Sequence, residues 1–216
     1  MLFRSYKITP SGLTSDNYKI SYVSGKLTVK DKTTVIAAKA VAQGKTSLVV
    51  SWNQVTDAAS YELWATTCSS PSCQKVRTLG RSATSFTMTK LKENTNYRFY
   101  VLAKNAAGKT ISKSQVGHVA TGNVHGKYTN AKSLKVTTPK VTLSKGGTAK
   151  IKATQTKAVA GKELLNHRAL LRYRSEKPAV ATVDENGTIK AVGTGWCRIY
   201  VQTVNGLCQM VEVTVK

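Results

Sequence analysis

Apolar residues recur at every second position through several stretches of this chain. Leu48, Val50 and Trp52 interleave with Val49 and Ser51. Tyr97, Phe99, Val101 and Ala103 interleave with Arg98, Tyr100 and Leu102, and Val211, Val213 and Val215 with Glu212 and Thr214. Side chains on a strand point to opposite faces in turn, so a period of two describes strands with one buried face. Turn residues interrupt the pattern at about every 8–12 positions, the spacing of short antiparallel strands. With 216 residues, 41% of them hydrophobic, the chain can build more than one packed core.

The pattern divides the chain into segments. In residues 1–32, Tyr18, Ile20 and Tyr22 form a strand, Ser24 and Gly25 turn, and Lys26, Leu27, Thr28 and Val29 form a second strand. Two strands cannot bury a core, so this segment is the tail of a truncated domain. Residues 33–121 carry the periodicity of seven short strands. Residues 122–132 have no period and contain two glycines, Gly122 and Gly126, which marks a linker. Strand patterning resumes in 133–216, interrupted at 162–171 by an insertion with room for one short helical turn. The expected class is all-β, tandem β-sandwiches.

Three resemblances follow from particular residues. The run Gly12-Leu13-Thr14-Ser15-Asp16-Asn17-Tyr18-Lys19-Ile20-Ser21-Tyr22-Val23-Ser24-Gly25-Lys26-Leu27-Thr28-Val29 resembles the last hairpin of the MBG-type repeat of bacterial surface proteins. Leu91, Thr95, Tyr97, Val101, Ala103, Asn105 and Gly108 resemble the fibronectin type III pattern, with Trp52 at that family's strand-B tryptophan. That resemblance implies a core role for Trp52 and Leu91 and a tyrosine corner at Tyr97. Tyr173-Arg174-Ser175-Glu176-Lys177-Pro178-Ala179-Val180-Ala181-Thr182-Val183, then Gly187, Ile189, Ala191, Gly193 and Gly195, resemble the bacterial Ig-like domain, group 2. Here Tyr173 stands where that family usually shows Trp, a substitution that still fills a core site. Together the resemblances imply immunoglobulin-like sandwiches, fibronectin type III followed by bacterial Ig-like.

Charge is extreme at +23 but evenly spread. Residues 1–32 hold six basic and two acidic residues, 33–131 twelve and three, and 132–216 fifteen and five. A nucleic-acid module concentrates its cations on one helix or groove, so no specific nucleic-acid partner is expected. Even spreading suits either soluble strand surfaces or loose attraction to an anionic polymer. No apolar run reaches the ~18 residues of a spanning helix, so no membrane insertion is expected. Met1-Leu2-Phe3-Arg4-Ser5-Tyr6 turns polar too soon for a signal peptide; export signal and anchor are expected outside this sequence.

Residues that could carry chemistry are few. Cys68 and Cys73 flank a Ser69-Ser70-Pro71-Ser72 turn. With that turn as the loop, Cys68 faces Cys73, Trp64 faces Arg77, and Ala65 faces Val76 on the inward side. A disulfide there contributes about 2 kcal/mol; two free thiols fit the same register. A hairpin loop of Val204, Asn205 and Gly206 places Gln202 opposite Cys208, Cys197 opposite Val213 and Ile199 opposite Val211. Cys197 and Cys208 then point to opposite faces and do not bond. His118, His125 and His167 are far apart in sequence, and no metal set, phosphate loop or nucleophile–base pair emerges. No cofactor and no catalysis are expected. Outward aromatics are the candidate ligand contacts: Trp64, and Trp196 with Arg198 and Tyr200, able to stack on a sugar or grip an anionic polymer, or else to form a cross-strand Trp–Arg packing pair.

The expected function is a non-catalytic structural or adhesion module of a bacterial cell-surface protein, extracellular, spacing other modules of the same polypeptide and touching anionic cell-wall polymer or carbohydrate. The alternative is an accessory segment of a secreted enzyme that degrades polysaccharide or peptidoglycan.

Overall fold

The computed structural model describes residues 3–30, 34–167 and 169–216. Met1 and Leu2, the domain boundary expected at 32–33, and Arg168 of the insertion lie outside the described residues. Two compact units divide the chain, 1–33 and 34–216. Among the described residues regular structure is strand, apart from one 3-10 turn.

In the first unit β1 (Phe3–Ile8) pairs antiparallel with β2 (Gly25–Lys30), Phe3 opposite Lys30 and Ile8 opposite Gly25. The strand expected at Tyr18, Ile20 and Tyr22 does not form. Those residues belong to a long loop in which Leu13, Tyr18 and Val23 are exposed. Alternation produces a strand only where one face has something to bury against, and this loop has no such face. Tyr22 ties the loop instead: its hydroxyl accepts the Leu13 N–H and donates to the Leu13 carbonyl.

The second unit begins with a two-sheet sandwich. One sheet has the order β3 (Ala38–Ala42), β4 (Leu48–Trp52), β7 (Ser85–Met88). The other is built from β5 (Ser60–Thr67), β6 (Gln74–Gly80), β8 (Asn96–Lys104), β9 (Thr110–Lys113) and β10 (Gly117–Ala120), ordered β10-β8-β5-β6 with β9 also on β8. Leu48, Val50, Trp52, Tyr61, Leu63, Phe99, Val101 and Ala103 fill the space between them. β9 and β10 follow one another along the same side of β8, as two pieces of an interrupted strand. Buried Ser114 breaks it, its hydroxyl accepting the Val101 N–H that a continuous ladder would have used otherwise.

The β5–β6 register departs from expectation. Leu63 lies opposite Arg77, but after a bulge Trp64 lies opposite Lys75 and Ala65 opposite Gln74. Val76 is therefore outside the core and 40% exposed, and Cys68 is not placed opposite Cys73.

The segment expected as a linker is built structure. It holds a 3-10 turn (Thr121–Asn123), β11 (Val124–His125), β12 (Tyr128–Thr129) and the start of β13 (Ala131–Val136). The second sandwich continues with β14 (Lys140–Leu143), β15 (Thr148–Lys150), β16 (Ala153–Lys157), β17 (Glu163–Leu164), β18 (Leu171–Ser175), β19 (Ala181–Val183), β20 (Thr188–Ala191), β21 (Gly195–Thr203) and β22 (Cys208–Val215). Its large sheet runs β14-β22-β21-β18; β13 pairs β16, and β15-β20-β19 form a third layer segment. Among its described residues the insertion has no helical turn. It supplies β17, which pairs parallel with β12, giving the small sheet β11-β12-β17.

Between β21 and β22, Cys197 is opposite Val213, Ile199 opposite Val211 and Gln202 opposite Cys208, the register the hairpin loop predicts. Gly206 has φ 88°, the left-handed value expected there. Tyr173 packs against the second core directly over Gly187, where a Cβ would stand 2.7 Å from the tyrosine ring.

Candidate functional site

The densest polar arrangement in the described residues is the joint between the two sandwiches. Its centre is the Val204, Asn205, Gly206 tip. β3 is an edge strand, with one side paired to β4 and the other open. Asn205 covers that open side: its carbonyl accepts the Ala40 N–H at 2.8 Å, and its side-chain amide donates to Ala131 O at 3.0 Å and Ala40 O at 3.4 Å. The Thr203 hydroxyl donates to Asn205 Oδ1, fixing the amide's orientation. The cap occupies the Ala40 N–H and carbonyl at the middle of that edge, groups that would otherwise be open to another chain. Contact is so close that a Cβ on residue 206 would lie 2.1 Å from Ala38 O.

Arg172 on β18 clamps the same place. Its guanidinium donates to Val116 O on the first sandwich and to Thr203 O and Val204 O at 3.0 and 2.8 Å on the second. Burial lowers its pKa from the ordinary arginine value, without threatening its charge at neutral pH. Val204 O also accepts the His118 N–H at 2.8 Å. Nearby, Gln115 donates to Tyr173 O and Arg174 to Lys113 O.

Asn130 completes the joint by imitating a strand. Its side chain accepts the Ala120 N–H and donates to the Ala120 carbonyl, both at 2.8 Å, and donates to Asn123 Oδ1 at 3.0 Å. Ala120, Leu165 and Val204 close over these bonds as a small apolar cluster with Tyr128 against it. Leu165 comes from the insertion, so the two segments that broke the strand pattern meet here.

The joint also gathers residues that sequence spacing had scattered. The His118 and His167 rings lie 4.3 Å apart, and Cys68 Sγ is 3.3 Å from His118 Nδ1. Burial pushes the Cys68 thiol up to about 11, which makes it a poor nucleophile. All four cysteines are free thiols. Among the described residues no three His, Cys, Asp or Glu side chains are placed to hold a metal. His125 lies elsewhere, its ring against Asn94 O.

Trp52 is buried and packs on Tyr61 with ring centroids 5.7 Å apart. Tyr97 is in the core, and its hydroxyl accepts the Lys92 N–H at 2.9 Å, the geometry of a tyrosine corner. Leu91 packs on the edge of the same core.

The outward aromatics divide. Trp64 is half-buried and stacks on Tyr100 at 6.0 Å, its indole N–H donating to Glu62. Arg198 and Tyr200 are not available as contacts: they are 7% and 6% exposed. β21 lies between β18 and β22, and Arg198 spends its charge on Glu176, 3.7 Å away, and on the Trp196 ring at 4.7 Å. Central strands lose outward exposure to both neighbours, which alternation alone does not reveal. Sequence reasoning missed Asn130, Arg172, Asn205 and the packing role of Gly206. Only the Asn205-Gly206 turn left a trace, and it read as a turn alone.

Comparison with known families matches residues 37–119 to the fibronectin type III domain and residues 130–206 to the bacterial Ig-like domain (group 2). Among solved structures, the FN5 domain of Drosophila Lar is 22% identical at TM-score 0.34, covering 41% of this chain and 96% of that one. An Fn3-like protein from Clostridium thermocellum is also 22% identical, at TM-score 0.35, covering 39% and 86%. The FN3 domain of human collagen XX is 17% identical at TM-score 0.36, covering 43% and 95%. No curated protein matched the chain. Residues 37–119 form a fibronectin type III domain and residues 130–206 a bacterial Ig-like domain (group 2), both immunoglobulin-like β-sandwiches.

Proposed function

We propose that this tandem is a non-catalytic, stiff spacer in a bacterial cell-surface protein, holding other modules of the same polypeptide at a fixed distance and angle. One observation carries this reading: the Asn205 tip and Arg172 join the two sandwiches through backbone groups of both, with no open linker between them. A flexible array would leave such groups to water. Bacterial Ig-like domains are commonly extracellular, which supports placement outside the cell. No helix among the described residues is long and apolar enough to cross a membrane.

Residual dipolar couplings measured on residues 34–216 test the stiffness. One alignment tensor fitting both sandwiches is expected. Two tensors of different magnitude would show independent tumbling and remove the spacer role. Antibody labelling of intact cells carrying the whole protein tests the location.

A further inference from the structure

The outer face of the β8-β5-β6 sheet carries a row that packing alone does not require. Tyr100 and Trp64 are directly opposed, their rings 7° from parallel and 6.0 Å apart. Lys113 Nζ on β9 lies 4.3 Å from the Tyr100 ring, and Lys75 on β6 is opposite Trp64. The row Lys113, Tyr100, Trp64, Lys75 thus crosses four strands, a span of about 14 Å at normal strand spacing.

Glu62 is the one acidic residue in β5, β6, β8, β9 and β10. It is already occupied by the Trp64 indole at 3.1 Å, Lys75 at 3.4 Å and Lys104 at 3.9 Å. Burial pushes its carboxyl up, but the Trp64 hydrogen bond and the two lysines outweigh this and hold it below the usual glutamate value. Arg98 follows on β8, and Arg174 reaches in from the second sandwich to Lys113 O at 3.1 Å. Five cations therefore surround one neutralised carboxylate and two aromatic rings.

We propose that this face docks an anionic polysaccharide, a chain whose sugar rings bear acidic groups. The outward edges of the stacked Trp64 and Tyr100 rings offer apolar surface to the C–H groups of a sugar, while Lys113 and Lys75 at the two ends receive its anionic substituents. Duplex nucleic acid is a poorer fit. Such binders typically neutralise about 6–10 phosphates from a groove or helix, whereas this surface is a sheet with a smaller cation excess. The proposal stands apart from the spacer reading, since a loose joint would displace only Arg174.

The test is an NMR titration of the 15N-labelled chain with alginate oligosaccharides. Saturable shifts at the Trp64 indole N–H and the Lys75, Tyr100 and Lys113 amides are expected, weakening as salt rises. Lys113→Glu, at an exposed site, is expected to lower affinity about tenfold with the protein still folded and only a small drop in melting temperature from the lost Tyr100 contact, because it reverses the charge at one end of the row. Trp64→Phe is expected to weaken binding less, keeping a ring. Four results would overturn the assignment: no saturable shifts; shifts spread evenly over the lysines of both sandwiches; unchanged affinity in Lys113→Glu; or equal affinity for poly(glycerol phosphate) or a single-stranded DNA oligomer at the same residues.

Discussion

At Gly206 a φ of 88° coincides with a backbone approach that leaves no room for a side chain. Gly206→Ala is expected to destabilise the tandem by about 2 kcal/mol or more, from left-handed strain and from displacement of the tip. Thermal denaturation gives the size. Faster hydrogen exchange at the Ala40 amide, which donates to Asn205 O, gives the place. Asn130→Ala leaves the buried Ala120 N–H and C=O unpaired and is expected to cost about 2–3 kcal/mol. Tyr200 supplies a pH signature: burial, then the nearby Glu176 charge, pushes its phenol up to about 12 from 10. The unfolded chain then loses this proton first, so the contribution is intact below pH 10 and is lost as pH climbs through about 12. Tyr200→Phe is expected to give a flatter stability curve between pH 10 and 12, read by denaturant unfolding at each pH. Tyr97 and Trp52 were legible in the sequence because their roles are tied to local spacing. Arg172 and the burial of Arg198 were not, because each depends on a partner more than 20 residues away in sequence or on neighbouring strands, and Asn130 was not, because a side chain bonded to backbone ten residues back leaves no periodicity.

Strands were legible where both faces had defined surroundings. The alternation of β8 matches its burial residue by residue, and the β21–β22 register follows from a three-residue turn. Two elements were misread for physical reasons. The β5–β6 bulge adds a residue that no periodicity reports, and it moves Val76 out of the core. The Tyr18, Ile20, Tyr22 run alternates properly but has no core to face. The pairing of β12 with β17 was also hidden, since each is only two residues long. Leu165 anchors that pairing from the apolar side. Leu165→Ala is expected to cost about 2–4 kcal/mol and to open the Leu165 N–H to Thr129 O bond, with exchange protection in β4 and β8 unchanged.

For the tandem as a whole, fold class and the two domain types were readable from residues, while the way the domains are joined was not. The segment without periodicity looked like a tether because its own ladder, β11 with β12, is only two residue pairs long and the rest of its bonds are made by side chains and by distant segments. Separating the sandwiches would bare the β3 edge and the Ala120 cluster. The first sandwich alone, residues 34–121, is therefore expected to melt at a lower temperature than within the tandem and to self-associate at high concentration, as ultracentrifugation would report. One further feature concerns the second sandwich under load. β14 lies parallel to the last strand, β22, with Lys140 beside Glu212 and Leu143 beside Val215. Pulling the polypeptide from both directions would slide these strands lengthwise past each other, so their cross-bonds must rupture together instead of unzipping singly. A tug at the exit of this domain meets its strongest resistance at the first pull.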